Sequence, residues 1–509
     1  MTPLASIDAC LAQLDFAAAA AAVEALPASP AHTLRRLRIA LGLGETSVHE
    51  VMREAASTAA TLAPSDPQRG ALLTLAFEAA LRARVYKHAE HTLSCLSEGL
   101  ASEAQVLSLR GKLALARDAR DEARVCLRDA HARDAQSLDA RLWLAELEYI
   151  EGDFERALRL LGPCIEDPTP SPRAAQALRL AAHAHGARAD HREEVRVLRL
   201  VVERYPKAPS LGHDQLSLAF AQAADGDYES CAATLRALWE SAPTSGLGAY
   251  ARRRLDHLEG AANGKAQRLQ QFPTTHQKRN FCGPAVLELC LRFLGIELSQ
   301  DEIAGVVKRE TGTPMYEISA FLAARGITAR RCEVTPARIR SAIDLGLPVI
   351  VQEEYSTTSH VAVITGYDPR LGVFIAQDPM THRPELKAFE WTERSGSLFG
   401  NGGIVIVGRA DALDPARLAA LDAEGLIERP HFTALDAVDR RRASLQGAPE
   451  DALRDEILEA CALALAEEPG YPLAWARKGR ALFGAHVHHP SERTRAQLMD
   501  FLQRARTGF

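Results

Sequence analysis

The spacing of apolar and polar residues divides the chain into three stretches. Residues 1 to about 258 are rich in Ala, Leu, Arg and Glu and poor in Gly and Pro, and their apolar positions predict helices throughout. Around 260–273 this pattern breaks at glycines, prolines and polar residues, which indicates a linker. Short helical segments and β-rich apolar runs then alternate up to about residue 410, and beyond it the helical pattern returns.

The N-terminal helical stretch repeats itself. Gly152-Asp153-Phe154-Glu155-Arg156-Ala157 recurs as Gly226-Asp227-Tyr228-Glu229-Ser230-Cys231, with Ala189-Asp190-His191 between them. Tyr86-Lys87-His88-Ala89 and Leu14-Asp15-Phe16 look like decayed copies. A period of about 34 to 37 residues, with a small residue three positions after an aromatic one, resembles tetratricopeptide repeats. We expect four or five such repeats; generic helical hairpins are the alternative and predict a similar shape.

The middle stretch predicts a mixed α/β domain. Three helices are expected, at 282–294, 300–308 and 317–325. Four strands are expected, at 349–351, 360–365, 373–376 and 404–407. The segment from Gly366 to Gly372 looks like a turn that joins two of these strands into an antiparallel hairpin.

The C-terminal stretch returns to a repeat-like pattern. Pro469-Gly470-Tyr471-Pro472 resembles a repeat junction, and Trp475, Gly479 and Leu482 follow at the spacing of a tetratricopeptide first helix. The expected fold class is multidomain. It comprises an all-α tetratricopeptide-like superhelix at 1–258, a linker at 259–273, an inserted α+β domain at 274–410 and a C-terminal α-helical repeat arm at 411–509.

Composition and charge exclude several classes of protein. The 509 residues are 47% hydrophobic and 25% charged, which is typical of a soluble globular chain. The net charge of −6 gives no electrostatic reason to expect a nucleic acid or an anionic membrane as partner. The N-terminus lacks a basic segment, and no uncharged run approaches the roughly 18 residues that a membrane span requires. We therefore expect a cytoplasmic protein.

Cysteine and histidine usage gives no sign of disulfides or metal. The nine cysteines are dispersed and include no C-x-x-C pair, which fits a reducing compartment. His183 and His185 are clustered, as are His486, His488 and His489, but no second group of ligands stands at a metal-binding spacing. We expect neither a metal nor a cofactor.

Three residues combine the groups that thiol catalysis needs. Cys282 opens the apolar run of a helix, and Pro284 suits the first turn, so the helix dipole and the free amides there favour the thiolate. His360 opens a strand, and Asp378 follows the next strand. A cysteine nucleophile, an imidazole base and a carboxylate that orients the imidazole form a catalytic triad.

Other reactive or charged residues near these three have plainer interpretations. Cys290 lies on the same helix as Cys282 and is expected to pack inward, and Cys332 lacks a basic partner. His382 is expected in a loop. Glu353 and Glu354 are expected in a solvated loop before the histidine strand; the alternative is that they select a basic substrate segment.

Several motifs between residues 271 and 409 together resemble the papain-like peptidases that cut bacteriocin and related precursors after double-glycine leaders. They are, in order, Cys-Gly-Pro-Ala at 282–285, Thr-Gly-Thr at 311–313, Gly-Leu-Pro-Val-Ile-Val at 346–351, His-Val-Ala-Val-Ile-Thr-Gly-Tyr-Asp at 360–368 and Gln-Asp-Pro at 377–379. The resemblance implies a bacterial, papain-like peptidase domain at 274–410. It also implies Cys282 as nucleophile, His360 as base and Asp378 as the residue that orients the base.

The chain departs from this family at the oxyanion hole. The family normally has a glutamine six residues before the cysteine, whereas here His276 stands in that place and Gln277 is one residue closer. We expect the oxyanion hole to use the backbone amide of Cys282 together with Gln277, after a small change in the loop; the alternative is that this amide acts with another donor. Gly283, which leaves room for a substrate backbone, and Ser359 are the expected substrate-cleft residues.

The main hypothesis is a cysteine peptidase that cleaves a peptide or protein substrate through an acyl-enzyme. The helical repeats would bind a protein partner or a substrate segment and raise its effective concentration at the cleft. A first alternative is a catalytically silent scaffold that binds peptides, supported by the displaced glutamine. A second is an enzyme that passes the acyl group to an amine and so acts as a transferase or cyclase.

Overall fold

The computed structural model describes residues 3–44, 46–260, 264–309, 312–354, 359–392, 402–427, 454–467, 472–488 and 490–507. The chain divides into two compact units, residues 1–259 and 260–509. Thr311 of the predicted Thr-Gly-Thr motif and Pro469-Gly470-Tyr471 of the predicted repeat junction lie outside the described residues.

The first unit is all helical in its described part, and consecutive helices pack on one another. Its helices are α1 (Pro3–Ala12), α2 (Phe16–Val23), α3 (Pro30–Leu43), α4 (Val48–Ala60), α5 (Pro67–Arg82), α6 (Tyr86–Ser97), α7 (Glu103–Ala116), α8 (Arg120–Arg133), α9 (Leu138–Ile150), α10 (Phe154–Glu166), α11 (Pro172–Ala187), α12 (His191–Arg204), α13 (Leu211–Ala224), α14 (Tyr228–Ser241) and α15 (Gly246–Glu259).

The turns before α10 and α14 have the same geometry. Gly152 and Gly226 adopt left-handed backbone angles, with φ of 84° and 89°, and the aspartate that follows each glycine caps the next helix. The Asp153 side chain accepts the amide N–H of Arg156 at 3.0 Å, as expected of an N-cap. The predicted Gly-Asp signature therefore marks real helix starts.

The small residues of the predicted repeats lie at the helix crossings. Ala19, Ala89, Ala157 and Cys231 are fully buried, which confirms the expected repeat spacing. The pairing also runs through α3 and α4, which carry no such signature. Within the described residues, the unit therefore has more helix pairs than the four or five expected.

The second unit combines one antiparallel sheet with helices on both faces. Its helices are α16 (Cys282–Phe293), α17 (Gln300–Val307), α18 (Met315–Ala323), α19 (Pro336–Asp344), α20 (Pro415–Ala423), α21 (Arg454–Glu467), α22 (Pro472–His488) and α23 (Glu492–Thr507). Its strands are β1 (Gln267–Arg268), β2 (Ile327–Glu333), β3 (Val349–Glu354), β4 (Ser359–Asp368), β5 (Val373–Gln377), β6 (Glu385–Ala388) and β7 (Gly402–Arg409).

The sheet runs in the order β2-β7-β3-β4-β5-β6, and β1 pairs with β4. Val361 and Val363 of β4 pack with α16, α17 and α18 on one face, while Ala362 and Ile364 pack with α19 on the other. Because both faces of this strand are buried, its apolar run is continuous instead of alternating with polar residues.

The predicted fold class is confirmed, with differences in detail. The three expected helices appear as α16, α17 and α18, and the hairpin at 360–376 appears as β4 and β5. The structure adds α19, β2 and β6, which the apolar pattern did not predict. It also places β1 within the predicted linker.

The described C-terminal helices pack through the predicted residues. The ring of Trp475 in α22 lies 5.5 Å from that of Phe501 in α23. A Cβ atom at Gly479 would stand 2.8 Å from the Phe501 ring, so the absence of a side chain lets these helices approach. Among the described residues, no helix combines the length and apolar character that crossing a membrane requires.

Candidate active site

The thiol of Cys282 lies at the first residue of α16 and is half-buried. The helix begins there because the carbonyl of Phe281 accepts the N–H of Ala285 at 2.8 Å, and the apolar face of α16 packs on the sheet. N–H groups in a first helical turn have no acceptor within the helix. They therefore stabilise negative charge on a thiolate at this position.

His360 and Asp378 meet beside this thiol. His360 lies near the start of β4 and Asp378 directly after β5, and the side chains of both are buried. Nε2 of His360 is 2.8 Å from Oδ1 of Asp378. The backbone N–H of Met380 donates to the same oxygen at 2.8 Å, which fixes the carboxylate. Since Nε2 is engaged by Asp378, the other ring nitrogen serves the hydrogen bond that His360 makes with Cys282.

The pKa values of this triad favour an ion pair. Burial alone raises the pKa of the Cys282 thiol, but the hydrogen bond and charge of His360 and the N–H groups of Val361 and Gly283 lower it below its ordinary value. Burial alone lowers the pKa of His360, whereas hydrogen bonds and charges of Asp378 and Cys282 raise it to about 10. These opposite shifts favour the thiolate–imidazolium pair over the neutral thiol and imidazole.

A second buried ion pair, between Glu353 and Lys387, lies near Asp378. Glu353 lies directly across from His360 in the β3–β4 pairing, and its Oε1 is 2.5 Å from Nζ of Lys387. Burial alone raises the pKa of Asp378, while its bond to His360 and the charge of Lys387 hold it below the usual range. The expectation of a solvated loop was wrong for Glu353, because β3 extends through it and places its side chain inside the domain.

Gln277 lies in an extended segment next to the loop that carries Asp378. Its backbone N–H donates to the carbonyl of Pro379 at 2.7 Å, and its side chain is half-buried. The neighbouring His276 turns its ring towards His382, with 6.0 Å between the ring centroids. The role of Gln277 at the oxyanion hole stays a prediction.

The expected cleft residues have different surroundings. Ser359 is exposed beside His360. Gly283 is buried, and a Cβ atom there would stand 2.4 Å from the Cβ of Thr313, so the missing side chain makes room for this threonine. Their roles in substrate binding also stay predictions.

Cys290, Cys332 and His382 are buried inside the domain. Burial raises the pKa of Cys290 far above its ordinary value, which keeps it a thiol. Cys332 is buried and contacts the carbonyl of Arg330. His382 is also buried, and its Nδ1 lies 3.1 Å from Oγ1 of Thr274.

Sequence reasoning missed Glu288, Gln300 and Lys387, whose polar side chains are enclosed near the site. Glu288 interrupts the apolar run of α16, and this interruption is the feature of the sequence that could have pointed to a buried polar residue there. The described residues hold no group of three or more His, Cys, Asp or Glu that could bind a metal ion.

Solved structures with similar helical arrays have low sequence identity to this chain. A tetratricopeptide repeat protein from Parabacteroides merdae is 13% identical, with 45% of this chain and 87% of that chain covered and a TM-score of 0.29. The Rap protein in complex with competence and sporulation factor is 12% identical, with coverage of 51% and 83% and a TM-score of 0.33. Scores of this size carry no weight, so the repeat assignment rests on the paired helices described above.

The sequence comparisons concern the second unit. An uncharacterised protein of Methanothermobacter marburgensis is 34% identical over 92 residues, which is 18% of this chain and 59% of that protein, less than two thirds of its length. An uncharacterised protein of Methanothermobacter thermautotrophicus is 34% identical over 113 residues, which is 22% of this chain and 74% of that protein. Residues 267–395 match the model of the Peptidase_C39 like family. Through this segment, the chain belongs to the Peptidase_C39 like family.

Proposed function

We propose that the chain is a cytoplasmic cysteine peptidase that hydrolyses a peptide or protein substrate, with Cys282 as nucleophile, His360 as base and Asp378 as the residue that orients the base. The observation that carries this proposal is the position of His360 between a carboxylate at 2.8 Å and the thiol that opens α16. The opposite pKa shifts of His360 and Cys282 are those of a thiolate–imidazolium pair.

The reaction follows from these positions. The thiolate of Cys282 attacks the carbonyl carbon of the substrate, and the carbonyl oxygen becomes an oxyanion that the Cys282 amide and the Gln277 side chain stabilise. His360 then gives its proton to the leaving amine as the C–N bond breaks, which leaves a thioester. A water molecule, deprotonated by His360, attacks the thioester and releases the carboxylic acid and the thiolate.

The first unit would recruit the substrate or a protein partner. Four successive first helices bring together Glu78, Lys112, Trp143 and Arg173. Nζ of Lys112 lies 3.8 Å from the centroid of the Trp143 ring, and burial lowers the pKa of this lysine to about 8. Arg173 pairs with Glu78 and, at 2.6 Å, with Asp139. Trp143 is buried among these charged groups, so the partly exposed Arg173 is the side chain that would contact a partner, and arginine is enriched among the residues that dominate binding energy at protein interfaces.

The test of the catalytic proposal is selective alkylation with iodoacetamide. We expect Cys282 to be labelled first, at a pH below the ordinary thiol pKa of about 8.5, because its thiolate is stabilised. The variant Cys282→Ala should lose this fast labelling, whereas the matched control Cys290→Ala should keep it, because Cys290 is buried as a neutral thiol. Labelling of Cys282 only at alkaline pH would contradict the proposal and favour the silent scaffold. Mass spectrometry of a peptide digest identifies the labelled cysteine.

A further inference from the structure

The segment that carries Gln277 has no regular structure of its own. Residues 272–278 form neither a helix nor a paired strand, so hydrogen bonds to neighbouring elements determine where Gln277 lies. On one side this is the bond from the Gln277 amide to the carbonyl of Pro379, next to Asp378. On the other side the segment meets the start of α17.

One side chain of α17 binds the backbone on both sides of Gln277. Gln300 is the first residue of the helix and is buried. Its Oε1 accepts the backbone N–H of Lys278 at 3.0 Å, and its Nε2 donates to the carbonyl of His276 at 3.2 Å. The side-chain amide of a glutamine offers an acceptor and a donor in one planar group, and the two backbone partners fix which way it points.

The same amide is tied to the helix that carries the thiol. Nε2 of Gln300 also donates to Oε2 of Glu288 in α16 at 3.0 Å, and the Thr275 hydroxyl donates to that oxygen at 2.9 Å. Oε1 of Glu288 accepts from Nη2 of Arg292 at 2.7 Å, which leaves the carboxylate oriented. Glu288 is six positions after Cys282, so about 9 Å of helix connects this anchor to the thiol.

We propose that Gln300, oriented by Glu288, is a positioning residue that sets Gln277 as the oxyanion donor of the active site. Its bonds fix the two peptide groups that flank Gln277 relative to α16, while the bond to Pro379 fixes the segment relative to Asp378. Residue 277 lies between the two held peptide groups, so Gln300 fixes the backbone on both sides of Gln277. The inference rests on the proposed peptidase function.

Two reagents separate oxyanion stabilisation from the reactivity of the thiol. Acylation of Cys282 by p-nitrophenyl acetate passes through a tetrahedral oxyanion, whereas alkylation by iodoacetamide does not. We expect Gln300→Ala to slow acylation about tenfold to a hundredfold, because a displacement of about 1 Å can cost that much. The rate of alkylation and its pH profile should stay at the wild-type values, since the Cys282–His360–Asp378 contacts do not involve Gln300. Gln300→Glu, which keeps the size but cannot donate to His276, should behave in the same way.

The control and the double variant decide whether Gln300 acts through Gln277. Asp301→Ala removes an exposed side chain that also binds Lys278, and it should change neither rate. In a Gln277→Ala background, Gln300→Ala should slow acylation no further, because the residue it positions is gone. An equal slowing in that background, unchanged acylation in Gln300→Ala, or a parallel loss of alkylation would each overturn the proposal.

If the proposed peptidase function is wrong, the two reagents give a different result. If wild-type Cys282 showed neither fast alkylation nor acylation, the catalytic role of Gln300 would fall together with the peptidase. Hydrogen exchange of the Lys278 amide then still reports the contact itself. We expect exchange at this amide to be at least tenfold faster in Gln300→Ala, because its acceptor is lost, and an unchanged rate would show that Gln300 does not hold the segment.

Discussion

The contacts that mark the repeats are local in sequence, whereas those that build the site of the second unit are distant. In the repeats many partners are close in sequence, although contacts between repeats are not: Asp153 caps its own helix three residues on and the buried Glu194 meets His191 at 3.0 Å, whereas the buried Asp214 pairs with Arg179, 35 residues away. In the second unit the partners are distant: His360 meets Cys282, and Glu353 meets Lys387 across the sheet. A substitution in the repeats should therefore leave the reactivity of Cys282 unchanged, whereas one in the second unit can change it.

The largest effect that sharpens this comparison is expected for His360→Ala. Acylation of Cys282 by p-nitrophenyl acetate at pH 7 should slow by about 10²- to 10⁴-fold, the usual contribution of a general base. The pH profile of iodoacetamide alkylation should also move to higher pH, because the hydrogen bond and charge of His360 are the largest contributions that lower the pKa of the thiol against the effect of burial. Stopped-flow kinetics between pH 5 and 10 measure both. A profile that stays in place would mean that His360 does not interact with the thiol.

The next effect concerns the ion pair behind the triad. Lys387→Met should lower the free energy of unfolding of the second unit by about 3 kcal/mol, because the buried carboxylate of Glu353 loses the cation that faces it. Urea titration followed by tryptophan fluorescence measures the change. The double variant Glu353→Met/Lys387→Met is the control and should recover most of the loss. A loss below about 0.5 kcal/mol would place this pair with ordinary surface ion pairs.

The smallest effect concerns the repeats. A Cβ atom at Gly186 would stand 2.8 Å from a carboxylate oxygen of Glu194, so Gly186→Ala should cost about 1–3 kcal/mol of unfolding free energy. The matched control is Gly162→Ala, where no atom lies within 4 Å of the new Cβ and the variant should gain up to about 1 kcal/mol. Neither variant should alter alkylation of Cys282. A changed alkylation profile would show that the repeats influence the reactivity of the Cys282 thiol.

Local patterns were sufficient for the repeats. Aspartate caps and buried small residues lie close together in sequence, so the period and the helix starts at Phe154 and Tyr228 could be read directly. What the pattern could not show was the turn before other helices. There Arg84, Asp118 and Ala189 adopt left-handed φ angles of 57° to 62° without being glycine. The fold imposes this conformation on residues that give no signal of it. The repeat count was too low because α3 and α4 carry no aromatic and small-residue signature.

The site was only partly accessible from the sequence. Cys282, His360 and Asp378 stood out because each begins or follows a predicted element and the motif order resembles a known family. Gln300 gave no such signal, because its importance depends on backbone groups of a segment more than twenty residues away. Glu353 was assigned to a loop because the apolar run of β3 ends before it, while its pairing with β4 does not.

The short strand β1 has a consequence for how the second unit can be isolated. Its pairing with Gly366 and Tyr367 lies on the same side of β4 as β3, because β5 pairs with these two residues from the other side. The backbone of Gln267 comes so close that a Cβ atom at Gly366 would stand 2.4 Å from its carbonyl oxygen. A fragment that starts at residue 274 would leave this stretch of β4 as an open edge, where strands of other molecules can add. Such a fragment would be prone to self-association, and one that keeps β1 would not have this open edge.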